Sequence, residues 1–187
     1  MKSRLYTAWA CIAISVAALT APRPRPVEWA QPVIGTSLDN LFRVSPDLYR
    51  SEQPGTGDVA DLKALGIRLI LSLRENHDDT AVKGLGGFRV SRVTMEASKV
   101  SREQLLQALR TIRDAPKPVL IHCWHGSDRT GVVVAAYRIV FQQWSNERAI
   151  DELKNGGFGY HAKLYKNLVS LLESIDGKQW RAELGLP

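Results

Sequence analysis

Cysteine is nearly absent from this 187-residue chain, which has only Cys11 and Cys123. Cys11 lies in an apolar N-terminal run, so Cys123 stands alone in the remainder, and no intramolecular disulfide is available even in a compartment that would permit one. A structural zinc site is excluded on similar grounds. It would need four ligands, only His77, His122, His125 and His161 could join Cys123, and neighbouring His122 and Cys123 on a strand cannot both reach one tetrahedral ion. No metal and no other cofactor is expected. Lys/Arg-rich runs are also missing: the formal charge is +6, but the basic residues are scattered, which argues against a nucleic-acid tract and for a solvated basic surface. Internal repeats are absent.

Long apolar stretches are scarce too. The longest runs from Leu5 to Leu19, behind Lys2 and Arg4 and ahead of "APRPRP". A basic start, a short apolar run and then small residues form a secretory leader pattern, because such a run is short for a bilayer core of ~30 Å. Residues 1–21 are therefore expected to be a signal peptide and the protein exported or periplasmic. Leu19 and Pro22 make a poor cleavage site, so an uncleaved membrane anchor is the alternative, and membrane contact is expected only in that case. Removing the segment takes away Lys2 and Arg4 and leaves 23 basic against 19 acidic residues.

The rest of the chain reads as one domain: a linker or arm at 22–40, a folded unit at 41–175 and a tail at 176–187. "LFRV" and "LYRS" suggest short strands around the turn "SPD". Val59, Leu62 and Leu65 fall on one helical face that stops at Gly66, and Ile67 to Leu73 form a nearly continuous apolar run, as in a central strand covered on both faces. Residues 74–87, including His77, Asp78 and Asp79, read as a polar loop before a strand at "FRVSRV". Ser101 and Gln104 form a capping box for a helix through Arg113. "PVLIHC" is a further buried strand, succeeded by an apolar helix from "RTGVVV" and by helices at 145–155 and about 161–175, separated by the turn "GGFGYH" with Phe158 packing inward. This alternation predicts a three-layer α/β fold, a mainly parallel central sheet flanked by helices, with ligands bound beyond the carboxyl ends of its strands.

That position is occupied by "VLIHCWHGSDRTGVV", Val119 to Val133: strand, tight loop, helix start. A loop of five residues between Cys123 and Arg129 can turn its N–H groups inward as a nest for a tetrahedral oxyanion. Gly126 permits the turn, and the helix adds its positive end. Arg129 offers a planar fork to two phosphate oxygens, and the same positive field stabilises a thiolate, which makes Cys123 a nucleophile.

"HCWHGSDRTG" resembles the H-C-x5-R-[ST]-G signature of the cysteine-dependent protein tyrosine phosphatase superfamily. "LYRSEQP", "AAYRIVFQQWSNERAIDELKNGGFGYH" and the exported N-terminus extend the likeness, over about residues 41–175, to small bacterial dual-specificity phosphatases, including periplasmic ones. The resemblance implies a dual-specificity phosphatase-like fold and hydrolysis of phosphomonoesters on protein through a cysteinyl-phosphate intermediate. Cys123 would attack phosphorus, Arg129 and the loop amides of Trp124, His125, Gly126, Ser127 and Asp128 would hold the oxygens, Thr130 would donate to the sulfur, and His122 would orient the loop. Trp124 and His125 would also face the substrate at the rim. The expected partner is a phosphorylated protein or small phosphomonoester, with no nucleic acid, and a monomer is expected.

One element of the pattern is missing. Such enzymes use an Asp on the loop after the preceding strand as general acid, and "VTMEASKVSRE" has none. By rough alignment its place falls near Ser98. Glu96 is the nearest carboxylate and the first candidate; its competing reading is a solvated loop residue. Asp128 is the second, competing with a role as N-cap of the helix at Thr130. Two alternatives stay open: a phosphoinositide or other non-protein phosphate as substrate, suggested by the Asp-Arg-Thr run, and a catalytically weak phosphate-binding module.

Overall fold

Four short strands place the nucleophile, three of them wholly buried and one, at the sheet edge, partly exposed. In chain order they are β3 (Leu48–Ser51), β4 (Leu69–Ser72), β5 (Arg89–Arg92) and β6 (Val119–His122), and they pair in parallel as β3-β6-β4-β5. β2 (Phe42–Ser45) and β1 (Gln31–Pro32) extend the sheet antiparallel at the β3 edge, which gives a six-stranded mixed sheet. The computed structural model describes residues 24–76 and 79–187; the expected leader at 1–21, with Cys11, and also His77 and Asp78, lie outside the described residues.

The two-residue period of the strands divides the core. Tyr49, Ile70 and Leu120 face one side, with Leu62 of α1 (Val59–Ala64) and Val82 of α2 (Thr80–Gly86). Leu48, Leu69, Leu71, Val119 and Ile121 face the other, against α3 (Arg102–Asp114) and α4 (Asp128–Phe141). Outside these pack α5 (Asn146–Asn155), α6 (Lys166–Glu173) and α7 (Gly177–Glu183), which complete the three-layer α/β fold read from the alternation of elements. α4 is buried along nearly its whole length, as its apolar composition requires.

Local chemistry explains the element ends. The Ser101 side chain accepts from the Gln104 amide, and the Gln104 side chain returns to the Ser101 N–H, the capping box read from sequence. Ser145 caps α5 by accepting from the Arg148 N–H.

The structure differs from the expected layout in four places. Residues 80–86, expected as loop, form α2, because Val82 is drawn into the α1 side of the core. α6 starts at Lys166, not near His161, since residues 161–165 make turns in which the His161 carbonyl accepts from both Leu164 and Tyr165 N–H. The expected tail carries α7, with Trp180 and Leu184 buried in the main core. The arm is docked from Pro24 onward: Arg25 donates to the Ala30 and Gly156 carbonyls, and the Ala30 N–H donates to Glu152 Oε1 at 2.6 Å. Glu152 in turn pairs through both oxygens with Arg138, at 2.7 Å each, and both side chains are buried. The folded unit therefore reaches beyond 41–175 at both ends.

Candidate active site

β6 ends at His122, and the chain turns through residues 123–127 into α4. Four consecutive carbonyls of that turn are held, the first by the neighbouring His122 ring and the other three by donors from distant parts of the chain. The Cys123 carbonyl meets His122 Nδ1 at 3.1 Å. The Trp124 carbonyl accepts from the Gln53 amide at 2.9 Å. The His125 carbonyl accepts from Asn40 Nδ2 at 2.8 Å, and the Gly126 carbonyl from the Arg50 guanidinium at 2.5 Å. A peptide whose C=O points outward points its N–H inward. The N–H groups from Trp124 to Ser127 accordingly meet no protein acceptor among the described residues. The loop is a nest of unpaired donors, and the N-terminus of α4 closes it.

Gly126 makes the turn possible twice over. Its φ is +71°, and a Cβ there would lie 2.4 Å from the Ser51 carbonyl oxygen and 2.7 Å from the Glu52 nitrogen. Only glycine fits both the left-handed backbone and the close approach to β3.

The loop floors a cleft of about 470 Å³. Cys123 lies at its base, 3% exposed, and Trp124, His125, Ser127, Asp128 and Arg129 line it, as do Ala97, His161, Leu164 and Tyr165. A larger hollow of about 620 Å³ between Phe158 and the segment 32–42 is not lined by Cys123 or Arg129. Arg129 spans the cleft to the opposite loop, where NH1 donates to the Met95 carbonyl at 3.3 Å. Trp124 is half exposed at the rim, and the Arg74 guanidinium lies 3.9 Å over its ring.

The expected roles are not all met. The anticipated bond from Thr130 to the sulfur is not formed: the Thr130 hydroxyl is buried within the first turn of α4 and has no protein partner among the described residues. Asp128 does not cap α4. Ser127 occupies the N-cap position, and the Asp128 carboxylate instead takes the His161 N–H on Oδ1 and His161 Nδ1 on Oδ2, each at 2.9 Å. Glu96 lies on the loop opposite but does not line the cleft; its carboxylate accepts from the Ser98 hydroxyl at 2.5 Å and from Lys99 at 3.1 Å. Those hydrogen bonds, Ser98 first, hold Glu96 below the usual carboxylate range, which favours the ionised form over a proton donor.

Asp79, read as part of a polar loop, is buried, because it serves the site from behind. Its Oδ2 meets His122 Nε2 at 3.0 Å, and its Oδ1 accepts from Gln53. The His122 ring is thus held at both nitrogens, by the Cys123 carbonyl and by the Asp79 carboxylate. Among the described residues no group of three or more His, Cys, Asp or Glu could hold a metal ion.

Sequence reasoning also missed Arg50. It is fully buried at the end of β3, and its guanidinium lies 3.7 Å from the centroid of Phe158. Burial is the main cause of its shift down to about 10, partly offset by Glu152 and Cys123. A charged residue in the otherwise uncharged strand "LYRS" was its one visible signal. Asn40 and Gln53 carried none, because their importance lies in a carbonyl each one meets far along the chain.

Comparison with known proteins agrees with this geometry. The dual specificity protein phosphatase TpbA of Pseudomonas aeruginosa (strain UCBPP-PA14) is 41% identical over 138 residues, which is 73% of this chain and 62% of that protein. The inositol diphosphatase DSP2 of Oryza sativa subsp. japonica is 30% identical over 125 residues, 62% of this chain and 61% of that one. The chain thus spans less than two thirds of the length of either curated relative. A crystal structure of P. aeruginosa TpbA in complex with pTyr superposes with a TM-score of 0.77 at 33% identity, over 87% of this chain and 99% of that one. Residues 37–171 match the Tyrosine phosphatase family as a whole, and the chain belongs to that family.

Proposed function

We propose that this protein hydrolyses phosphomonoesters on proteins, aryl esters such as phosphotyrosine foremost, through a phosphoryl group carried on Cys123. The observation that supports this reading best is the outward anchoring of four successive loop carbonyls, which leaves a ring of N–H donors around the sulfur. Cys123 attacks phosphorus as the thiolate, and its S–P bond forms as the bond to the leaving oxygen breaks. The nest and Arg129 hold the three equatorial oxygens, whose charge is stabilised by donors already in place. Water then attacks the phosphocysteine, releases phosphate and returns the thiolate. The Thr130 hydroxyl is suited to that second step, since a buried donor without a partner gains most from a charge developing on a nearby sulfur. His122, braced by Asp79, orients the nucleophile through the Cys123 carbonyl.

Trp124, Leu164 and Tyr165 give the cleft an apolar wall suited to a phenyl ring, and the TpbA complex with pTyr supports the same class. A second reading rests on the inositol diphosphatase relatives: a compact, highly phosphorylated polyol would use the same nest. The leader pattern at 1–21 supports export to the periplasm, with an uncleaved anchor as the alternative. Purified protein is expected to release phosphate from para-nitrophenyl phosphate and from a phosphotyrosine peptide, and Cys123→Ser to release none. No turnover of either substrate between acid and neutral pH would leave only a phosphate-binding module. Faster turnover of an inositol diphosphate than of the phosphopeptide would select the second reading.

A further inference from the structure

The chain has the cleft, nucleophile and anion clamp of its family but no aspartate on the loop facing them, and Glu96 there is bound to Ser98 and Lys99 outside the cleft. Phosphoryl transfer from an ester with a poor leaving group still needs a proton at the departing oxygen. The titratable side chains that line the cleft, apart from Cys123 and Arg129, are His125, Asp128, His161 and Tyr165.

We propose that His161 is the proton donor of this site and that Asp128 is its positioning residue, a dyad that rests on the hydrolase reading above. Three observations carry this. First, Asp128 devotes both carboxylate oxygens to His161, one to the backbone N–H and one to Nδ1, so the ring is fixed in position and in tautomer. Nε2 is left as the nitrogen without a protein partner among the described residues. Second, the His161 carbonyl accepts from Leu164 and Tyr165 N–H, and the Tyr165 ring stands edge-on at 6.4 Å. The residue is therefore held at backbone and side chain before any substrate arrives. Third, the approach is built into the turn before it. Gly157 and Gly159 both have positive φ, and a Cβ on Gly159 would sit 3.0 Å from Ser127 Oγ, so "GGFGYH" lays this segment directly against the phosphate loop.

His125 is the competing imidazole. Among the described residues its ring makes no hydrogen bond to a carboxylate and feels Glu52 only through charge; it meets Trp124 edge-on at 6.2 Å, and its carbonyl is committed to Asn40.

The electrostatics suit the dyad. A lone carboxylate inside an anion-binding loop would repel the substrate. Held against the His161 ring, the Asp128 carboxylate is not left alone facing the substrate. The other groups facing the dyad are Cys123, Arg129 and His125 from the loop, Tyr165 at the start of α6, and Tyr160 in the same turn, whose hydroxyl is pushed up by burial and then by Asp128.

The proton balance is complete. As the Cys123–phosphorus bond forms and the ester P–O bond breaks, Nε2 passes its proton to the leaving oxygen and His161 becomes neutral. In the second half the neutral ring takes a proton from the attacking water, the S–P bond breaks, phosphate departs, and the imidazolium is restored.

The test compares para-nitrophenyl phosphate, a good leaving group, with phenyl phosphate, a poor one, on the full protein, with thermal melting of every variant. For His161→Gln we expect ~100-fold loss of kcat/KM on phenyl phosphate against less than ~5-fold on para-nitrophenyl phosphate, together with loss of the alkaline limb of the pH profile. Asp128→Asn is expected to keep the limb but move it to lower pH, a change that a purely structural role would not cause. Equal losses of His161→Gln on both substrates, or an unchanged alkaline limb, would overturn the proposal. So would a phenyl phosphate-selective loss in Glu96→Gln or His125→Gln. A parent protein inactive on para-nitrophenyl phosphate would instead remove the hydrolase reading, and the dyad with it.

Discussion

Replacing Gly126 by Ala sets a backbone penalty against a positional one. The φ of +71° costs a residue with a Cβ ~1–2 kcal/mol. The larger effect is steric. The new Cβ would meet the Ser51 carbonyl oxygen at 2.4 Å, and opening that contact to the 3.4 Å of ordinary touching moves the loop by about 1 Å. β3 cannot yield instead, because it is paired on both sides, by β2 and β6. A misplacement of ~1 Å at a reacting centre costs on the order of 100-fold in rate, so kcat/KM on para-nitrophenyl phosphate is expected to fall by about that factor while the protein stays folded. Gly66→Ala is the control. Its φ of +72° carries the same backbone penalty, but nothing lies within 4 Å of its Cβ. Urea denaturation should show a loss of about 1–2 kcal/mol for Gly66→Ala and a larger one for Gly126→Ala, and only Gly126→Ala should lose activity. A Gly126→Ala enzyme within about 3-fold of the parent would refute the close-packed loop.

The packing behind the site sets three further outcomes. Arg50→Met removes a guanidinium that burial pushes down to about 10, a net shift on the order of 3 kcal/mol. That cost exists below about 10 and is relieved only as pH rises past it, so it is present at any working pH. The lost bond to Gly126 and the lost ring contact are of similar size; unfolding free energy should change by less than ~2 kcal/mol while kcat/KM falls ~10-fold, and a large stability loss with normal kinetics would count against this. Glu152→Gln leaves Arg138 buried without its counter-charge and should cost ~3–5 kcal/mol in urea denaturation, more than the double change Arg138→Met with Glu152→Leu. Asp79→Asn places an amide donor against one of two donors it now accepts from, and should lower kcat ~10-fold with substrate binding unchanged.

The parts of the fold legible in sequence are those governed by short spacing. The run "VLIHC" needs burial on both faces, the interval between Cys123 and Arg129 makes a loop too tight for anything but a nest, and Ser101 with Gln104 announces a helix start. α2 is not legible, because "TAVKGLG" has two glycines and is helical only through the burial of Val82. α7 begins on a glycine and depends on Trp180 finding the core. The loop's braces escape for a different reason: Asn40, Arg50 and Asp79 act on residues 43 to 85 positions away, a separation to which periodicity is blind. In sequence His161 stands out only as a possible metal ligand, and its pairing with Asp128 depends on the turn geometry of Gly157 and Gly159.

Trapping of the covalent intermediate tests the central claim most directly. Enzyme mixed with para-nitrophenyl phosphate, quenched in acid and digested, should yield the peptide containing Cys123 with one added phosphoryl group on sulfur, and Cys123→Ser should yield none at that position. Steady turnover by the parent with phosphate on no cysteine, or undiminished turnover by Cys123→Ser, would contradict the account.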